Sequence, residues 1–97
     1  MITENAYQRQ LIRKIKRVFP GAMVLKNDPN YIQGIPDLVV MHGPRWAALE
    51  VKRSASSPAR PNQEHYIDAM RDMSYARFIY PENEKEIFDE LEQLFLS

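Results

Sequence analysis

Ninety-seven residues, 44% apolar, 27% charged and free of cysteine, make one domain's worth of chain (1–97) with a modest core. The lack of cysteine excludes disulfide scaffolds, thiol nucleophiles and Cys-rich zinc or iron–sulfur sites, and no apolar run is long enough to span a bilayer. The formal net charge of zero conceals a polarity, since residues 1–60 carry ten Lys/Arg against four Asp/Glu and residues 61–97 carry three against nine. A basic half of this kind fits a polyanion, although plain solvated surface also reads this way. The opening Met1-Ile2-Thr3-Glu4-Asn5 lacks the layout of a signal peptide, so a cytoplasmic location is expected.

Residues 3–19 read as a helix, with Tyr7, Leu11, Ile12, Ile15, Val18 and Phe19 at helical spacing, Thr3 as N-cap and Pro20-Gly21 as the stop. Residues 22–26 read as a short strand and 27–36, rich in Asn, Pro and Gly, as a loop. Asp37–Met41 and Trp46–Lys52 are expected as strands joined by a turn at 42–45. The Ser/Pro-rich stretch 54–61 reads as loop. Asn62 is expected to cap a helix to Met73, Tyr75–Tyr80 to form a fourth strand, and Glu82–Leu96 a last helix. The order αβββαβα predicts an α/β (α+β) domain with a mixed central sheet flanked by helices.

The hairpin carries the first chemical signal. A turn at 42–45 that closes symmetrically puts Asp37 directly across from Glu50, and like charges so placed are destabilising. A shared divalent cation would resolve the conflict, because Mg²⁺ takes one or two carboxylates and completes its shell with water and phosphate oxygens. Strand alternation sets Lys52 on the same face as Glu50, with Leu49 and Val51 on the other. By itself, Glu-x-Lys on a strand reads more readily as a surface ion pair. Pro36 stiffens the backbone leading into Asp37.

Two helices add polar groups on inward faces. At about 100° per residue, Glu4 falls at the centre of the first helix's apolar face, with Arg9, Arg13, Lys16 and Arg17 opposite. A first-turn carboxylate also complements the helix dipole. Gln63 lies among Tyr66, Ile67 and Met70 on the apolar side of the second helix, where a backbone hydrogen bond would equally account for it. His42, in the turn, and His65, on the solvent side, read as bystanders.

Gly34-Ile35-Pro36-Asp37-Leu38, then Leu49-Glu50-Val51-Lys52, then Gln63-x-x-Tyr66, resembles the PD-(D/E)xK nuclease superfamily. More narrowly it looks like the small stand-alone VRR-NUC (virus-type replication-repair nuclease) domains of phages, over nearly the whole chain. The resemblance implies a restriction-endonuclease-like αβββαβ core plus a C-terminal helix. It implies Asp37, Glu50 and the backbone carbonyl of Val51 as ligands of Mg²⁺ or Mn²⁺, and Lys52 as the group holding the attacking water. Glu4 would be an accessory carboxylate and Gln63 the helix glutamine near metal and substrate, with Tyr66 either in that site or in the core.

The expected activity is metal-dependent, structure-selective hydrolysis of DNA phosphodiesters, in branched DNA such as four-way (Holliday) junctions. A non-catalytic DNA-binding or assembly module is the alternative. Arg9, Arg13, Lys14, Lys16, Arg17, Lys26, Arg53 and Arg60 are candidate phosphate contacts, and no base-reading helix or zinc module is apparent. Tyr75, Phe78, Tyr80, Phe88 and Phe95 look like more aromatic surface than a small core hides, so a homodimer with two active sites is expected.

Overall fold

The computed structural model describes residues 2–97. The first helix, α1, runs Glu4–Val18, with Thr3 Oγ1 accepting the Ala6 N–H at 3.1 Å and Phe19 closing the C-terminus. Beyond it lie β1 (Met23–Lys26), β2 (Leu38–His42), β3 (Arg45–Val51), α2 (Pro61–Met73), β4 (Tyr75–Ile79), a 3₁₀ turn (Pro81–Asn83) and α3 (Glu84–Leu96). One mixed sheet has the order β1-β2-β3-β4, antiparallel between the first three strands and parallel between β3 and β4. The parallel pair is joined by α2, as parallel strands require a crossover.

The β2–β3 hairpin is tighter than the sequence implied. His42 pairs with Arg45, leaving Gly43-Pro44 as a two-residue turn. Gly43 has φ 60° and Pro44 is confined to negative φ, the sign pattern of a type II′ turn. Each hairpin strand shifts by one residue relative to expectation, but the register keeps Leu38 opposite Leu49. Pro61, not Asn62, opens α2, since a first-turn N–H has no intrahelical partner to lose. The Gln63 side chain then caps the helix by accepting the Arg60 N–H at 3.0 Å.

Two apolar layers flank the sheet. On one face α1 and α3 bury Leu11, Ile15, Phe19, Leu38, Leu49, Val51, Ile87 and Leu91. On the other, α2 covers Ala48, Ile67 and Ala76 over β3 and β4. Strand alternation places Met23, Leu25, Val39 and Met41 on that second face, over β1 and β2, where no helix packs; Met23 is 60% and Leu25 45% exposed. No described helix is long and apolar enough to cross a membrane.

The aromatic surplus expected at the C-terminus is not there. Phe19 stacks on Phe88 at 6.1 Å between ring centroids and meets Phe95 edge-on at 5.4 Å, so the C-terminus of α1 interlocks with α3 inside the core. Phe88 and Phe95 are buried, Tyr75, Phe78 and Tyr80 are half-buried, and the Tyr75 hydroxyl donates to Glu90. The aromatic argument for a dimer surface therefore fails.

Candidate active site

Asp37 and Lys52 each lie one residue beyond a strand end, and their side chains and backbone continue the sheet there. Asp37 Oδ2 accepts the Val51 N–H at 2.9 Å, in the place of a backbone carbonyl. Glu50 Oε1 accepts the Asp37 N–H at 3.2 Å, and the Lys52 N–H donates to Ile79 O at 2.9 Å. The two acids are thus latched across the hairpin. The Val51 carbonyl shares the strand edge that its N–H presents to Asp37.

Gln63 bridges the acid and the amine. Its Nε2 donates to Glu50 Oε2 at 3.0 Å, and its Oε1 accepts from Lys52 Nζ at 2.8 Å. Lys52 Nζ is 3.9 Å from Glu50 Oε2. Glu50 is 3% and Lys52 9% exposed, and Gln63 is half-buried. Burial, then the facing Asp37 charge, push the Glu50 carboxyl up to about 8, against the pull of Lys52 and the Asp37 N–H. Burial likewise raises the Asp37 carboxyl, opposed by the Val51 N–H and by Lys52. Such a pair retains a proton well above the usual carboxylate range unless a cation replaces it.

Above this set opens a cleft of about 670 Å³ lined by Glu4, Asp37, Glu50, Lys52, Arg53, Arg60 and Gln63. Glu4 departs from expectation in being exposed rather than sheltered on an apolar face. The first turn of α1 stands at the cleft mouth, and the Glu4 charge also raises the Glu50 carboxyl. Arg53 and Arg60 rim the cleft, whereas Arg9, Arg13, Lys16 and Arg17 are exposed along α1 and Lys26 is exposed at the end of β1. Lys14 is committed elsewhere. Its ammonium donates to Glu84 at 2.6 Å and lies 4.5 Å from the Phe88 ring centre, so it ties α1 to α3 rather than standing free for phosphate.

Tyr66 is half-buried, against His65, and outside the cleft lining. His42 contacts Pro20 O and the Phe95 ring. Two further positions, Asn27 and Gln8, emerge only in the structure, which also gives the packing reason for Gly34 of the motif. Asn27 clamps the approach to Asp37, accepting nothing from it but donating from Nδ2 to Pro36 O and from its N–H to Asp37 O, both at 2.8 Å. Gly34, at φ 91°, lies so close to α2 that a Cβ would stand 2.7 Å from Asn62 Cγ. Gln8, one turn after Glu4, is 5% exposed with its Oε1 unpartnered. The Asn-Pro-Gly loop before Asp37 is visible in the sequence, but not what it touches; Gln8 lies at helical spacing from Glu4, and only tertiary packing shows its burial.

Among the described residues no three acidic, imidazole or thiol groups converge. The groups here that could hold a cation are two facing carboxylates and a peptide oxygen. A solved structure described as a VRR_NUC domain protein superposes with a TM-score of 0.73 at 18% identity, covering 97% of this chain and 91% of that one. The chain has a VRR-NUC-like nuclease fold. No protein-family model matches the sequence, and no curated protein does. The VRR-NUC-like fold is therefore visible in three dimensions at an identity too low to carry residue roles.

Proposed function

We propose that this protein is a Mg²⁺- or Mn²⁺-dependent deoxyribonuclease acting on branched DNA, four-way junctions above all. The observation carrying this reading is the pairing of half-buried Asp37 with buried Glu50, latched across a hairpin and joined through Gln63 to Lys52 at the floor of a cleft rimmed by arginine. Two carboxylates and the Val51 carbonyl suit a hard octahedral cation that keeps part of its water. When bound, the cation would neutralise the scissile phosphate and acidify a water.

The remaining steps belong to the chain's own groups. Lys52 brings a fixed positive charge to the place where phosphoryl oxygens become more negative, and a preorganised charge of this kind stabilises the transition state. Gln63 holds that amine and Glu50 in one geometry through two hydrogen bonds. Glu4, which lines the same cleft, would serve as the accessory carboxylate and orient water rather than bind phosphate directly. Arg53 and Arg60 would position the DNA backbone beside the chemistry, and the exposed cations of α1 would extend that contact without reading sequence.

A clean junction cut needs two incisions, which a two-fold dimer with two sites would supply. We expect the protein to act as such a homodimer in the cytoplasm of a bacterium or of a phage-infected host. Matched linear, flap and four-way-junction DNAs, incubated with Mg²⁺, Mn²⁺ or EDTA, test the reading. Metal-dependent cleavage favouring the junction is expected. Tight binding without metal-dependent cleavage would favour a non-catalytic DNA-binding module instead.

A further inference from the structure

A second cavity, of about 320 Å³, adjoins the cleft at the serine-rich loop. The two share Lys52, Ser54 and Ser57, so a strand crossing the cleft reaches this cavity over one loop wall. Its lining combines the half-buried Phe78 and Tyr80 rings with Arg71 from α2 and the Glu64 carboxylate. The geometry points to a subsite for one unpaired nucleotide next to the scissile phosphate, its base against the aromatic side chains; this rests on the nuclease reading above.

The chemistry is that of a single base. Aromatic side chains take any nucleobase on its π-face, and an arginine plane adds to such stacking. Arg71 is held in place, its Nε donating to Ala76 O at 3.2 Å, so its guanidinium is oriented before a ligand arrives. The Glu64 carboxylate and the Tyr80 hydroxyl make no side-chain hydrogen bond among the described residues and remain open to base-edge groups. The cavity is bounded by α2, the edge of β4 and the serine loop, and its volume suits one nucleotide rather than a base pair. A nucleotide can enter only after leaving its duplex, which costs least at a branch point or frayed end. Selectivity for branched DNA would then reside in this subsite rather than in the metal pair.

Ala59 and Ala55 line the cavity but not the cleft, so Ala59→Trp would fill the subsite and leave the chemistry untouched. Tyr80→Leu removes the aromatic face while keeping bulk, and Ala55→Trp serves as a second plug should Ala59→Trp fold poorly. The assay compares cleavage of a fork and of its matched linear duplex by the full chain with Mn²⁺. It is paired with 2-aminopurine placed in turn at each nucleotide flanking the branch, read in the presence of Ca²⁺. The fork-to-duplex ratio should fall about five- to tenfold in the plugged and Tyr80→Leu variants, the scale of one lost base–aromatic stack. Duplex cleavage should be unchanged, and one 2-aminopurine position should lose its protein-induced fluorescence change in the same variants. An unchanged ratio in variants that still cut DNA overturns the subsite alone. Absence of cleavage of any DNA by the wild type overturns the nuclease reading, and the subsite with it.

Discussion

Asp37, Glu50, Lys52 and Gln63, the proposed catalytic set, are tied to one another or to the hairpin backbone, which makes single substitutions informative. Asp37→Asn and Glu50→Gln keep the shape of the hairpin latch but remove a negative charge from the donor set, and Lys52→Ala removes the amine that Gln63 holds. Cleavage should be lost in the first two and fall about 10²- to 10³-fold in the third, with DNA affinity retained in a gel-shift assay. Stability should respond to pH through Glu50. Its folded carboxyl titrates near 8 against an ordinary value of 4.5, so the folded state binds the extra proton between those values. Without metal, stability is then fullest below about pH 4.5 from this group and declines as the pH rises toward 8. Glu50→Gln should flatten that decline and leave the variant more stable at pH 8.5, by on the order of 2 kcal/mol in urea melts. A parallel decline in wild type and variant would remove the facing-charge account. The opposition of these two acids was legible in the sequence because a symmetric hairpin fixes its own register. Gln8 and Asn27 were not, since their partners come from tertiary packing that spacing does not encode.

At the scale of elements, the hairpin, the loop before it and the first turn of α2 act as one unit. Gly34 is the joint: it has positive φ and no room for a methyl group beside Asn62, whose neighbour Gln63 orders the site. Gly34→Ala should destabilise the fold by about 1–3 kcal/mol and lower cleavage beyond what stability explains, because the loop must withdraw from α2. Thermal melting and kinetics at a temperature where the variant is fully folded separate the two effects. The basic face of α1 divides by partner. Lys14→Ala should lower stability by about 0.5–1 kcal/mol with little effect on DNA affinity, given its partly exposed tie to Glu84 and Phe88. Arg17→Glu should do the reverse and reduce the salt dependence of binding. The helical wheel placed Glu4 on the inward side of α1 but could not show that the first turn stands at the mouth of a cleft.

For the whole molecule, fold and site differ in how far sequence reaches. The order of elements and the mixed sheet follow from periodicity and turn residues, and the VRR-NUC-like fold agrees with them. Which strands α2 covers does not follow, because that depends on where the crossover lands. Hence the open apolar strip over β1 and β2 was not anticipated, and the aromatic residues assigned to a surface proved to fill the core. The central claim is that folding assembles Asp37 and Glu50 into a cation site where, without metal, burial and their proximity make ionising both carboxyls costly. Melting curves at pH 7.5 with Mn²⁺ and with EDTA, for wild type and Asp37→Asn, address that claim most directly. The account predicts a metal-dependent rise in the wild-type melting temperature and no rise in the variant. Equal stabilisation of both proteins by Mn²⁺ would contradict it.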